Sequence, residues 1–499
     1  MRPLARAFLA LSLLLAALIG GVALWDALTA ERFDHRPILS PSALDRLPAA
    51  HFAAGDCSSE LPGRLMVIGW DSADWDLIFP LLERGELPHL ASLMAEGTAG
   101  TLATFLPSVS PALWTTVATG VEPDRHGILG FYEKRPRLER WWQRLTHFGR
   151  LERRLFSAND RRVRAIWNLL TEARRGVLVV GFHNTFPVEQ VEGAMVSNYL
   201  TQDSIARLMS VGVDADPQLA HNLVTPPQLL DRVLAIQREV DASLPEAARR
   251  FSGVAERDVA KLLERGRELP REGDQRPWFL LHAYAFDEIN ARIATDLYPG
   301  LEPDALFVHF QAVDWAVHQF LAFHRPEDFG EVDWPEATLA RLRELEPLYR
   351  DTVSEYYRYL DEWLGRLLAL RDPRTAVIVL SDHGAGAGPD PDTPGNHDDG
   401  PPGMIVLAGP GIRSGARVEG ATLYDVLPTM AALLGLPRAR DLPGQVLEGA
   451  LCPGAWIPAR QPEVASYTPE PEFRPPAARP EALQDDLLKQ LEALGYIDD

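Results

Sequence analysis

The chain has 499 residues, 46% hydrophobic and 24% charged, which excludes a fibrous or wholly disordered protein. Its formal net charge of −21 argues against a broad nucleic-acid-binding surface, because contact with a phosphate backbone needs an excess of Lys and Arg. One stretch departs from this balance, since residues 134–175 carry many Arg side chains beside Trp141 and Trp142. That stretch predicts either a solvated helical surface or a patch that faces a membrane or attracts anions.

The first predicted element is a hydrophobic segment at the N-terminus. Arg2 and Arg6 precede an uncharged run from Ala7 to Trp25, about the minimum length of a membrane-spanning helix. Residues 1–25 are therefore predicted to be a membrane anchor or signal segment, with cleavage left open. The large domain would then lie outside the cytoplasm, in the periplasm if the source is Gram-negative. Cys57 and Cys452 could pair in such an oxidising compartment, and the sequence does not decide whether they do.

The folded part is predicted to begin near Arg64, after an irregular tether at 26–62. Short apolar runs of strand length then alternate with helical patterns, at 65–69, 176–181, 305–310, 376–380 and 404–408. Continuous apolar strands separated by helices are typical of a parallel sheet covered on both faces, which predicts an α/β fold.

Two further regions depart from this alternation. Residues 201–300 are mostly helical in pattern, with a possible strand at 278–284, and predict an inserted cap over the sheet. Residues 453–480 are rich in Pro and predict an extended linker, which a short amphipathic helix at 481–499 follows.

The stretch "FLPSVSPALWTTVATG", residues 105–120, predicts a helix that Ser110 caps, with Pro111 in its first turn and Gly120 at its end. A Ser at a helix start also faces unpaired backbone N–H groups, where an enzyme can hold a nucleophile beside an anionic substrate. Ser108 is the alternative if the local register differs by two residues.

Three acidic residues stand just after three of the predicted strands, and histidines accompany them. The set is Asp71, Asp314, His318, Asp382, His383 and His397. The carboxyl ends of parallel strands meet at one edge of a sheet, and residues four apart on a helix share one face. Carboxylate oxygens with imidazole nitrogens suit zinc or a similar divalent ion. With Ser110 the set is large enough for two metal sites.

Three other histidines have less specific settings. His126, in "EPDRHGI", is predicted to order a turn. His309 lies inside an apolar strand and is interpreted as a core residue. His183 follows a strand and is a candidate for contact with substrate.

The ordered motifs resemble the alkaline phosphatase superfamily, and within it the type I phosphodiesterase and nucleotide pyrophosphatase family. They read "GWDSADW", "SPALWTTVATGVEPDRHGI", "DWAVH", "LSDHG" and "NHDDGPPGMIVLAGPGI". The resemblance runs from about 64 to 447 and implies a catalytic domain at 63–450. It implies a three-layer αβα sandwich with a mostly parallel central sheet and an inserted, mainly helical cap.

The resemblance also implies site residues and a reaction. Asp71, Ser110, Asp382 and His383 match the positions that hold one zinc ion, with Ser110 as the nucleophile. Three more match the second ion: Asp314, His318 and His397. The implied enzyme hydrolyses phosphoric esters, with diesters favoured, through a covalent serine intermediate and two divalent ions, Zn²⁺ or alternatively Mn²⁺.

Two positions depart from the nucleotide pyrophosphatases, which use Thr as nucleophile and an Asn to hold a phosphate oxygen. Here these positions read Ser110 and Phe131, which argues against nucleotide diesters. The expected substrate is a small-molecule or lipid-headgroup phosphate ester, and the sequence leaves the oligomeric state open. The alternatives are a phosphoryl-headgroup transferase, a phosphomonoesterase of the same superfamily, or a catalytically silent binding protein.

Overall fold

The structure is a computed structural model that describes residues 33–38, 44, 57–135, 152–198, 222–253 and 274–468. The predicted N-terminal segment at 1–25 and the C-terminal helix at 481–499 lie outside these residues, as do parts of the tether, cap and linker. Across the described ranges, no helix is both long enough and apolar enough to cross a membrane.

A nine-stranded sheet forms the centre of the molecule. Its strands in chain order are β1 (Arg64–Trp70), β2 (Gly97–Ala103), β3 (Val177–Val180), β4 (Gly193–Val196), β5 (Val224–Thr225), β6 (Ala305–Phe310), β7 (Thr375–Leu380), β8 (Gly403–Ala408) and β9 (Ala416–Thr422). Their spatial order is β9-β2-β8-β7-β1-β6-β3-β4-β5. Seven strands share one direction, whereas β8 and β5 run antiparallel to their neighbours. All five predicted strands are present, and the sheet is mostly parallel as expected.

Helices cover both faces of the sheet. The helices are α1 (Trp75–Glu83), α2 (Pro88–Glu96), α3 (Ser110–Thr119), α4 (Pro123–His126), α5 (Ile166–Glu172), α6 (Leu230–Phe251), α7 (Arg276–Leu301), α8 (Ala312–His324), α9 (Glu336–Tyr349), α10 (Thr352–Leu368) and α11 (Leu423–Leu433). Alternate residues of β1 enter opposite layers of the core. Met66 and Ile68 pack with α1, α2, α7, α8 and α10, and Leu65 and Val67 pack with α3, α5 and α11.

The possible strand at 278–284 is wrong, because these residues lie inside α7. Because α7 is almost wholly buried, this run is apolar on all faces of the helix. Such a segment shows neither the 3.6-residue repeat of an amphipathic helix nor the two-residue repeat of a strand, so its sequence does not distinguish the two. The two described helices of the predicted cap, α6 and α7, share the core layer with Leu306 and Val308 of the sheet. The alternation of strand and helix also fails after β3 and β7, which both lead into loops.

Both ends of the described domain are tied to it. Cys57 and Cys452 form a disulfide, which settles the pairing that the sequence left open. In the predicted tether, the Asp34 and Ile38 N–H groups donate to the carbonyls of Leu106 and Thr104, each at 2.8 Å. Residues 438–439 pair with 463–464, within the predicted linker. The described parts of tether and linker are therefore joined to the domain by these bonds.

Candidate active site

The three predicted carboxylates meet at the carboxyl edge of the sheet. Asp71 follows β1, Asp382 follows β7, and Asp314 lies in the first turn of α8 directly after β6. Because β1 lies between β6 and β7, the three positions are on adjacent strands. All three side chains are fully buried.

Ser110 is the first residue of α3, and Val109 occupies the N-cap position. The expected cap role is wrong, since no side chain caps this helix and the Ser110 hydroxyl points into the site instead. Its Oγ lies 3.5 Å from Asp71 Oδ1 and 3.4 Å from His383 Nε2. Pro111 stands in the first turn and Gly120 ends the helix at φ 70°, both as predicted.

Asp71, Asp382 and His383 form an inner cluster. The His383 Nδ1–H donates to the Gly384 carbonyl at 2.8 Å, so Nε2 is the nitrogen that carries the lone pair. This Nε2 lies 3.5 Å from Asp71 Oδ1 and 3.5 Å from Asp382 Oδ2. The inner cluster is fully buried and directly adjoins the Ser110 hydroxyl.

Asp314, His318 and His397 form an outer cluster, with His318 Nε2 3.5 Å from Asp314 Oδ1. The His397 ring lies 5.1 Å from that of His318 and 4.2 Å from that of His383, so the two clusters adjoin. His397 reaches this edge because β8 is antiparallel: the loop that precedes β8 meets the carboxyl ends of the parallel strands.

Burial and neighbouring charges shift the pKa values of side chains in both clusters. Burial, together with the charges of Asp71 and Asp314, raises the pKa of Asp382 well above its ordinary value. Burial alone would raise the pKa of Asp71 too, but the neighbouring imidazoles outweigh it and hold that pKa well below the ordinary value. Burial, followed by the charges of His383 and His318, lowers the pKa of His397.

The inner and outer clusters fit divalent cations. Neither oxygen of Asp382 accepts a hydrogen bond within the described part of the chain, and His397 Nε2 has no hydrogen-bond partner there either. A buried carboxylate without donors is costly unless a cation balances it. Mixed carboxylate and imidazole donors suit Zn²⁺ and similar ions, so the donor set agrees with the predicted type of site.

Ser108 has a different role from Ser110. Its Oγ–H donates to the His397 carbonyl at 2.5 Å, and its Oγ lies 3.3 Å from His397 Nδ1. It therefore holds the His397 loop, and Ser110 is the hydroxyl between the carboxylate and imidazole of the inner cluster.

A cavity of about 340 Å³ opens beside the outer cluster. It is lined by Pro107, Ser108, Val109, Ser110, Phe131, His318, Pro389, Asp390, Thr393, Gly395, Asn396, His397 and Asp398. No Lys or Arg belongs to this described lining, whereas Asp390 and Asp398 do. The cavity is thus of a size for a small molecule and has an acidic rim.

Three arginines of the basic stretch at 134–175 form ion pairs with acidic residues. Arg154 contacts Asp160 at 2.9 Å, and Arg164 contacts Glu172 at 2.5 Å. Arg161 is buried against Glu189 at 2.8 Å. These three side chains stabilise the fold rather than form an anion-attracting patch, and residues 136–151 lie outside the described ranges.

Three side chains that the sequence did not predict as ligands lie around Asp71 Oδ2, and one of them, His183, was predicted as a candidate for contact with substrate. Trp114 Nε1–H donates to this oxygen at 3.0 Å, and the Nε2 atoms of His309 and His183 lie at 3.3 Å and 3.5 Å. His309 is buried, as expected of a core residue, but its imidazole faces the site. Its position one residue before the end of β6 could have identified it from the sequence as a site residue, because the carboxyl ends of the parallel strands form the edge that holds the site.

Comparisons with known proteins give a family match and a curated relative. Residues 65–404 match the family described as type I phosphodiesterase / nucleotide pyrophosphatase. The chain is 28% identical over 197 residues to a 2,3-bisphosphoglycerate-independent phosphoglycerate mutase from Cereibacter sphaeroides, covering 38% of this chain and 34% of the mutase. The chain thus spans about a third of the length of that curated relative.

Two solved structures are also similar. Alkaline phosphatase PafA aligns at 11% identity and a TM-score of 0.49, over 80% of this chain and 100% of that one. Phosphonoacetate hydrolase from Sinorhizobium meliloti, in complex with phosphonoformate, aligns at 16% identity and a TM-score of 0.36, over 66% and 57% of the two chains.

Proposed function

We propose that the chain, which belongs to the type I phosphodiesterase / nucleotide pyrophosphatase family, is a phosphoric ester hydrolase that acts on diesters through a covalent Ser110 intermediate with two divalent cations. The inner cluster, with the Ser110 hydroxyl, would hold one cation. The outer cluster would hold the other. Zn²⁺ is the expected ion and Mn²⁺ the alternative.

One observation carries the proposal. The Ser110 hydroxyl lies at the first turn of α3, beside the lone-pair nitrogen of His383 and a carboxylate oxygen of Asp71, and it lines the cavity. A helix N-terminus favours an anionic phosphoryl group, so nucleophile and substrate charge are held at one point.

The reaction then has two displacements at phosphorus. In the first, a bond forms between Ser110 Oγ and phosphorus while the bond to the leaving alcohol breaks. In the second, water attacks the same phosphorus and releases Ser110. Divalent cations at the two clusters would favour ionisation of the attacking oxygen and stabilise charge on the phosphoryl oxygens.

The cavity lining favours a diester over a monoester. A phosphomonoester carries up to two negative charges and is usually bound by Arg or Lys, which the described lining lacks. Asp390 and Asp398 would repel the second charge. Phe131 offers an apolar surface there, which supports a substrate with an apolar or neutral leaving alcohol.

The test is hydrolysis of bis-p-nitrophenyl phosphate by Ser110→Ala, with Ser108→Ala as the matched control. We expect Ser110→Ala to lower kcat/KM on the order of 10³-fold or more, because no second hydroxyl can form the intermediate. Ser108→Ala should reduce it only severalfold. Wild-type turnover by Ser110→Ala would show that Ser110 is not the nucleophile.

Transfer to an alcohol acceptor is the second candidate, and the similarity to a protein named as a mutase favours it. The ratio of transfer product to hydrolysis product, measured with glycerol added to the diester assay, separates the two. If this product ratio exceeds the molar ratio of glycerol hydroxyl groups to water in the assay, the enzyme is a transferase.

The location outside the cytoplasm stays a proposal, which the Cys57–Cys452 disulfide supports because such bonds persist in oxidising compartments. Fractionation of cells that express the full chain, with and without residues 1–25, tests both the location and the anchor.

A further inference from the structure

A second group of donor atoms lies on the far side of Asp71 from Ser110. It consists of Asp71, His183 and His309, whose donor atoms all lie within 4.8 Å of one another. The two carboxylate oxygens of Asp71 divide between two neighbourhoods: Oδ1 faces Ser110 and His383, and Oδ2 faces the two histidines. We refer to Asp71, His183 and His309 as the rear cluster.

The rear cluster is closed off from solvent and from the cavity. His309 is fully buried and His183 is 5% exposed. The Trp114 and Phe182 rings pack against His309 with centroids at 4.6 Å and 5.8 Å, and Phe131, which lines the cavity, contacts the His183 ring edge-on at 6.4 Å. Neither histidine lines the cavity, so contact with substrate does not account for them.

Three of the four ring nitrogens in the rear cluster lack a hydrogen bond to any described residue. Neither ring nitrogen of His309 has a hydrogen-bond partner among the described residues, and neither does His183 Nε2. Leaving a buried polar atom unpaired costs about 1–3 kcal/mol. Two of these atoms, His309 Nε2 and His183 Nε2, lie 3.3 Å and 3.5 Å from the same oxygen, Asp71 Oδ2, which indicates a common ligand between the three side chains.

The surrounding residues are shaped to hold this arrangement. His309 pairs in register with Gly69, the residue two before Asp71. A Cβ atom at Gly69 would lie 2.6 Å from the Trp114 ring and 3.1 Å from His309 Cδ2. Glycine therefore leaves the space in which Trp114 donates to one lone pair of Asp71 Oδ2, while the other lone pair of this oxygen is available to a further ligand.

We propose that the rear cluster is a third divalent metal site, built from His183, His309 and Asp71 Oδ2. Two imidazoles and one carboxylate select Zn²⁺ or a similar transition metal over Mg²⁺ or Ca²⁺, which prefer oxygen donors. Asp71 then bridges this ion and the inner cluster. The third ion fixes the orientation of Asp71 and balances the carboxylates of the sheet edge, so its role is to position the inner cluster.

The site goes beyond the proposed two-cation mechanism, and its test leaves all seven predicted ligand and nucleophile positions intact. Full-length protein is stripped with a chelator, reloaded with Zn²⁺ and analysed by mass spectrometry for metal per chain. We expect about three equivalents for the wild type and about two for His183→Phe and His309→Phe. The control is His282→Phe, a buried histidine of α7 that stacks on Trp278 and should retain about three.

His397→Ala reports separately on the proposed function, because it removes a ligand of the outer cluster only. Loss of metal in His397→Ala with no loss in the rear-cluster variants would overturn the third site and leave the two-cation proposal standing. Anomalous diffraction at the zinc edge needs no variant: we expect a peak among His183, His309 and Asp71. Crystals of the reloaded wild type with peaks at the inner and outer clusters and none there would overturn the proposal.

Discussion

His126 and His309 are both fully buried, yet their surroundings differ. His126 Nδ1 accepts from the Ile128 N–H at 3.2 Å, and its Nε2 is 3.1 Å from Thr116 Oγ1. His309 has no hydrogen bond at either nitrogen within the described structure. Burial lowers the pKa of both, to about 3 and about 4, so both are neutral. Described residues thus provide hydrogen-bond partners for both nitrogens of the His126 imidazole and for neither nitrogen of the His309 imidazole.

Two buried carboxylates repeat the contrast. Asp74 begins α1 and accepts from the N–H groups of Asp76 at 2.7 Å and Ala385 at 3.1 Å. Asp382 accepts no hydrogen bond from any described residue. A buried carboxylate that the chain satisfies is part of the fold, whereas an unsatisfied one that lies beside other carboxylates and imidazoles is a candidate cation ligand.

The largest effect is expected for Asp382→Asn, which should change the free energy of unfolding in opposite directions in metal-free and metal-loaded protein. In chelator-treated protein, Asp382→Asn should raise the free energy of unfolding by about 1–3 kcal/mol, because a buried carboxylate without donors is removed. In metal-loaded protein it should lower stability and reduce kcat/KM for a diester by more than about 100-fold. Urea unfolding with and without chelator measures the reversal.

Asp74→Asn is the matched control and should destabilise both forms, since it removes an acceptor that is in use. If Asp382→Asn also destabilised the chelator-treated protein, the carboxylate would have partners that the protein itself supplies, and the contrast with Asp74 would fail.

His126→Leu should cost about 1–3 kcal/mol at neutral pH, because it leaves the Ile128 N–H buried and unpaired. In the wild type the folded pKa of His126, about 3, is below the ordinary 6.5, so the unfolded chain binds a proton first as pH falls. Its contribution to stability therefore decreases as pH drops from about 6.5 toward 3, by at most about 1.4 kcal/mol per pH unit.

Urea unfolding of chelator-treated protein between about pH 7 and pH 5 tests this, with the exposed His89→Gln as control. The free energy of unfolding of His126→Leu should change less with pH than that of the wild type, whereas His89→Gln should behave like the wild type. Equal slopes for wild type and His126→Leu would mean that His126 is not held neutral by burial.

The smallest effect is expected for Trp114→Phe, which removes one N–H donor from Asp71 Oδ2 and keeps the ring. The loss of about 1 kcal/mol should lower kcat/KM about fivefold without changing the metal content. Trp167→Phe, which removes a similar donation to Glu189 rather than to Asp71, should leave kcat/KM unchanged. A loss of a whole metal equivalent in Trp114→Phe would show that the indole holds the rear cluster together.

Much of the site followed from chain order, because polar residues after apolar strands converge at one sheet edge. Asp71, Asp314 and Asp382 meet there as expected. The predicted cap role of Ser110 was wrong. A local sequence pattern contains no information about a distant partner such as His383, whose Nε2 lies beside the Ser110 hydroxyl. The strand at 278–284 failed because α7 is buried on all sides and shows no period.

The sequence by itself determined the family, the mostly parallel sheet and the order of the predicted ligands, because motif spacing and apolar runs are local properties. The tertiary structure alone decided the antiparallel direction of β8, the Cys57–Cys452 bond and the convergence of His183 and His309 on Asp71. These features depend on which strands become neighbours and on what each buried atom then contacts. A histidine in an apolar strand has the same local sequence whether its imidazole is satisfied or not.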